Sequence, residues 1–160
     1  MLELGKESPV EVDGKTWILG RMELSIIRGF RDWIKAQIGD PFDKVERVLK
    51  FIDKDEALAR IKAAEAIRDQ LEGFSLQTPL AKEWMGSELG MTELIRLLLQ
   101  KRHPGTTSEE AFQLLMAMGG QLTAETLQQA QGSVPNGVAR SGADRPGRQA
   151  SSTGTLSTVA

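Results

Sequence analysis

At 160 residues with 40% hydrophobic content, the chain suffices for one modest domain with a real core and not for two. Its formal net charge of −2 is unevenly spread: residues 132–160 hold Arg140, Arg145 and Arg148 against Asp144, so the rest is the more acidic part and lacks the clustered Lys and Arg of a general nucleic-acid binder. The absence of cysteine excludes disulfides, thiolate metal ligands and a thiol nucleophile, and no apolar run approaches the length of a membrane span. The opening MLELGKESPV has no basic region followed by an apolar one, so a cytoplasmic protein not addressed for export is expected.

In chain order, the only period of two is at residues 10–19. Val10 and Val12 precede Asp13-Gly14, and Trp17 and Leu19 follow it, the pattern of a type I′ β-hairpin. A lone two-stranded hairpin is marginal in water, so it either lies as a lid over helices with Trp17 beneath or lends its edge to another chain. Residues 22–38 read as the first long helix, with Leu24, Ile26, Ile27, Phe30, Trp33, Ile34 and Ile38 on one broad apolar face, and Gly29 in its middle implies close approach of another helix. Asp40 then caps a second helix with Pro41 in its first position, and Phe42, Val45, Val48, Leu49 and Ile52 repeat at helical spacing until Asp53. A third, over residues 55–72, uses Ala57, Ile61, Ala64, Ile67 and Leu71 as its stripe and ends at Gly73, expected in a left-handed conformation. Thr78-Pro79 restarts a short helix, after which Gly86, Ser87 and Gly90 are expected to loosen the chain.

Residues 90–119 form the organising stretch, two apolar helices joined by a His-Pro-Gly turn. The first has Thr92 as its cap candidate and surrounds itself with leucine and isoleucine, leaving Glu93, Arg96 and Gln100 as a wet edge. The second opens with the capping box Thr107 to Glu110 and a stripe of Ala111, Phe112, Leu115 and Met116. Leu94, Leu97, Leu98, Phe112, Leu115 and Met116 are therefore either ordinary core or a surface for a partner. A last, frayed helix over residues 122–131 has Thr123 as its cap. The expected organisation is mainly α: a hairpin segment at 1–20 packed on a helical domain of five to six helices at 21–131, and a disordered tail at 132–160.

Chemistry is sparse. His103, the sole histidine, reads as a helix C-terminal residue whose positive charge complements the dipole. Asp53, Asp55 and Glu56 lack calcium-loop spacing and read as caps. No phosphate-cradling glycine pattern or nucleophile motif occurs, and neither catalytic, cofactor nor metal-binding residues are expected. A helix-turn-helix around residues 100–110 would begin its recognition helix with Ser108-Glu109-Glu110, whose charges repel phosphate.

The segment E-V-D-G-K-T-W-I-L-G-R-M running into F-R-D-W-I resembles the start of tail assembly chaperones and related small assembly proteins of long-tailed bacteriophages. L-I-R-L-L-L-Q-K-R-H-P-G-T-T-S-E-E-A-F-Q-L-L is similar to a layout recurrent in such proteins, and the likeness covers residues 10–118. The resemblance implies a non-enzymatic protein of an infected or lysogenic bacterial cytoplasm. Such a protein binds the tape measure protein and recruits tail tube protein, with self-association allowed and no membrane partner. It also implies that a longer product can arise by ribosomal frameshifting. The basic, Ser/Thr-rich tail departs from the acidic character expected of the group, and so admits a structural virion protein at the head-tail junction or in the tail as the alternative. A helix-turn-helix DNA-binding protein stands third.

Overall fold

The computed structural model of the chain describes residues 5–119 and 122–132. It is mainly helical behind an N-terminal hairpin, as expected. Two strands, β1 (Ser8–Val12) and β2 (Lys15–Leu19), precede α1 (Leu24–Ile38), α2 (Pro41–Val48), α3 (Lys54–Glu72), α4 (Pro79–Met85), α5 (Glu88–Leu99), α6 (Ser108–Met118) and α7 (Ala124–Gly132). Among the described residues seven helices are formed, the short α4 and α7 included. The expected disordered tail falls outside the described residues, apart from Gly132 at the end of α7.

The strands are antiparallel, with Val12 opposite Lys15, Val10 opposite Trp17 and Ser8 opposite Leu19. Asp13 and Gly14 both take positive φ, 50° and 74°, which is the type I′ turn that Asp-Gly permits. One face of the ribbon points into the protein, where Trp17 and Leu19 are buried and Val10 and Val12 pack against the core. The lid arrangement is therefore the one adopted.

The core is one apolar cluster reaching from Trp17 and Leu19 through Phe30, Ile34 and the α5 leucines to Leu127 and Ala130. Helix α5 is its centre, touching β2, α1, α4 and α6. Gly29 faces α5 as expected: a Cβ there would lie 3.2 Å from a Leu97 methyl. Helix α7 is seated rather than frayed. Leu127 is fully buried, the Leu76 N–H donates to Gln131 Oε1 at 2.6 Å, and Gln128 donates to the Leu76 carbonyl at 3.3 Å. Thr123 caps it as expected, accepting from the Thr126 N–H at 3.3 Å.

Three boundaries differ from the sequence expectation. Helix α5 starts at Glu88, with Ser87 accepting from the Gly90 N–H, and Thr92 lies inside the helix, its hydroxyl donating to the Glu88 carbonyl at 2.8 Å. The glycine at 90 does not loosen the chain; it lets α5 press onto the Trp84 carbonyl. Helix α2 stops at Val48 rather than near Asp53, because Asp53 already serves α3, accepting from the Asp55 and Glu56 N–H groups at 2.9 Å each. Gly73 ends α3 with φ −92°, not left-handed; of the helix-terminal glycines, Gly39 and Gly119 have positive φ.

Candidate functional site

The six residues read as core or partner surface divide between the two. Leu94 and Leu98 are completely buried, because α5 is enclosed by its own chain. They form core and no docking surface. Leu97, Phe112 and Leu115 are half-buried, and Leu97 and Leu115 pack on the core from its margin. Met116 stands out at 64% exposure. The stripe of α6 is turned relative to the expected one: Ala111, Leu114 and Met118 are its buried residues. At ~100° per residue, Phe112 sits ~100° and Met116 ~140° around the helix from Ala111, on its flank.

The expected wet edge of α5 is also corrected. Glu93 is only 7% exposed, and both its oxygens are held by Arg96, at 2.8 and 2.6 Å. That carboxylate holds the Arg96 guanidinium in its charged form, raising its pKa. Enclosure by the neighbouring elements buries a residue that a periodicity argument places in water, and the i,i+3 partner makes that burial tolerable.

A second apolar surface includes Leu49 of the expected second-helix repeat, together with residues not singled out from sequence. Helices α2 and α3 pack chiefly on each other, and Val45 and Ala64, buried on them, lie outside the main core cluster. Only the end of α3 near Leu71 joins that core. At ~1.5 Å per residue, α3 is about 28 Å long, so the pair makes an arm whose far turn stands away from the body. That turn carries Leu49 and Phe51, the latter at 85% exposure, and Leu58 in α3 is 52% exposed. Phe51 is off the 42, 45, 48, 52 repeat of α2, so the one available signal was a large aromatic residue out of phase with its neighbours. At the arm's base, an open cleft of about 830 Å³ runs between α1, α2 and α3, lined in part by Lys35, Phe42, Arg68 and Leu71.

The α5–α6 turn is bound to the hairpin. Arg102 donates twice to Glu7, at 2.9 and 2.8 Å, and Lys101 lies 3.5 Å from Glu23. His103 Nε2 accepts the Ile18 N–H at 2.9 Å, with its ring 5.2 Å from that of Trp17. His103 thus serves the hairpin as a hydrogen-bond acceptor, a role not expected of it. On α6 the capping box forms as expected: Thr107 Oγ1 accepts from the Glu110 N–H, and Glu110 accepts from the Thr107 N–H at 3.0 Å.

These exposed carboxylates are tuned by their partners. The Arg102 hydrogen bonds hold Glu7 below its ordinary value of 4.5, Arg21 and Lys101 do the same for Glu23, and the Thr107 backbone N–H lowers Glu110. A depressed folded-state pKa contributes stability above 4.5 and loses it as pH falls through the depressed value. Glu7→Gln is accordingly expected to lower the urea midpoint relative to wild type at about pH 6, with the two converging at about pH 3. Equal midpoints at the higher pH mean that the Glu7–Arg102 pair adds nothing.

Asp53, Asp55 and Glu56 act at the start of α3 as a helix cap and first-turn acids. Among the described residues no group of three or more His, Asp or Glu is placed to hold a metal ion, and no helix is long and apolar enough to cross a membrane. Comparison with known family models, curated proteins and solved structures returned no match.

Proposed function

We propose that this chain is a non-enzymatic assembly protein of a long-tailed bacteriophage, a tail assembly chaperone that binds the tape measure and tail tube proteins in the host cytoplasm. The observation carrying an interaction role is the exposed Phe51, with Leu49 at the free turn of the α2–α3 arm and Leu58 in α3. Large apolar side chains held in water at the turn between α2 and α3 suit capture of an amphipathic partner helix. The phage assignment rests on the resemblance of residues 10–118, and the arm supplies a contact site for it.

The test is co-expression with the tape measure protein of the same genomic neighbourhood, followed by capture at low and high salt. Wild type is expected to retain the partner at both, because an apolar contact is not screened. Phe51→Asp is expected to stay folded and to lose at least ~10-fold in affinity, the usual scale of a central aromatic contact. Met116→Asp, on the other exposed surface, is expected to bind as wild type. Undiminished capture by Phe51→Asp removes the arm from the contact. No capture, with the chain present stoichiometrically in purified particles, favours the structural virion protein instead. The DNA-binding alternative gains nothing from the α5–α6 turn, where Arg102 and Lys101 are engaged by Glu7 and Glu23.

A further inference from the structure

Among the contacts that join the hairpin to the helical body, two hydrogen bonds to β2 and the residue after it differ in chemistry. At its base, the Gly20 N–H donates to the Leu98 carbonyl at 2.8 Å, and a Cβ at Gly20 would meet that same oxygen at 2.8 Å, so the chain is held closely there. This is a backbone-to-backbone bond that no titration between neutral and mildly acidic pH can touch. Further out, the Ile18 N–H points away from β1, since in this register Ile18 lies opposite Pro9 at a non-hydrogen-bonded position. Its one acceptor is His103 Nε2, supplied by the turn after α5. Trp17, next to Ile18, packs its ring on the same imidazole.

We propose that the β1–β2 hairpin is a proton-sensitive flap, latched on the helical body by the His103 Nε2 lone pair and hinged at Gly20. Protonation fills that lone pair, turning the acceptor into a donor that faces the Ile18 N–H. Two donors repel, and the latch opens. Histidine is the side chain that ordinarily changes charge between pH 5 and 8.

The charges around His103 act with the latch. Lys15 lies 3.6 Å from the Trp17 ring centre on β2, and Lys101 and Arg102 precede His103 in its own turn. Their carboxylate partners are Glu110 from α6, Glu23 before α1 and Glu7 before β1. These pairs stay ionised until well below the range in which an imidazole titrates, since the three carboxyls are held below 4.5. The cations thus remain in place while the latch titrates. Opening uncovers the apolar underside of the ribbon, Val10, Trp17 and Leu19.

Amide hydrogen exchange on the full chain, read residue by residue, tests this. From about pH 7.5 to about pH 5.5 the Ile18 protection factor is expected to fall about tenfold, the scale of one lost hydrogen bond, while that of Gly20 falls less. His103→Gln, which keeps an uncharged acceptor, is expected to give the same Ile18 protection at both pH values. His103→Phe keeps a ring for Trp17 but no acceptor, and is expected to leave Ile18 poorly protected throughout. Glu7→Gln is expected to retain the full step. A wild-type Ile18 amide that is equally protected at both pH values overturns the proposal. So does a step that survives in His103→Gln, or one that vanishes in Glu7→Gln.

Discussion

Leu98→Asp is expected to abolish the folded state. Leu98 has no solvent exposure, lies in the last turn of α5, and belongs to the main core cluster, while α5 itself packs on β2, α1, α4 and α6. Removing the isobutyl group alone costs about 2–5 kcal/mol at such a site. The carboxylate must then either remain charged without a partner or take up a proton, each adding several kcal/mol. The sum approaches or exceeds the ~5–15 kcal/mol by which a domain is ordinarily stable. The expected result is insoluble or unfolded protein, checked by far-UV circular dichroism and gel filtration against Met116→Asp. That control changes a residue 64% exposed on the neighbouring helix and is expected to fold normally. A soluble, cooperatively folding Leu98→Asp means that α5 can turn this face outward, and restores it as a docking surface.

The contrast between Leu98 and Met116 shows how much of the candidate site was legible in the amino-acid sequence. Local chemistry was readable wherever a few adjacent residues decide the backbone: Asp13-Gly14 specified the turn, Thr107 with Glu110 the capping box, and Asp53 the start of α3. Gly29 announced a close helix, and that helix is α5. What depends on neighbours far away in the chain could not be read. Helix α5 is apolar on most sides, so its periodicity could not say which face meets its own domain, and Glu93 is buried only because other elements close around it. The burial of α6 is rotated toward Leu114 and Met118 by contact with α5. His103, expected at a helix C-terminus, lies in the turn beyond α5, which ends at Leu99, and its acceptor role needs Ile18, 85 residues earlier in the chain. The arm tip escaped for another reason. A helix expected to run to residue 53 placed Phe51 on its surface, whereas termination at Val48 puts it in an open turn.

Gly90→Ala is the substitution for which propensity and packing make opposite predictions, and packing is expected to win. In the first turn of α5, replacing glycine by alanine favours the helix by up to ~1 kcal/mol. Against this, the new Cβ would sit on the Trp84 carbonyl, 2.7 Å from its carbon. That carbonyl cannot easily move, because it accepts both the Ser87 hydroxyl at 2.7 Å and the Ser87 N–H at 3.1 Å. Ser87 in turn caps α5 by accepting from the Gly90 N–H at 3.0 Å. Relieving the overlap therefore means separating α4 from α5 or giving up a cap, costs of about 1–3 and about 1 kcal/mol. Less the gain in propensity, the net expectation is a loss of up to about 2 kcal/mol, measured as a lowered urea midpoint at unchanged slope. Leu89→Ala, one residue away and 57% exposed, is expected to change stability by less than ~0.5 kcal/mol. The displacement also has a local reporter, since the Trp84 ring meets Trp33 of α1 edge-on at 5.2 Å, and tryptophan fluorescence should shift with it. If Gly90→Ala is as stable as wild type, α4 and α5 can separate at their crossing without cost, and helix propensity alone governs the start of α5.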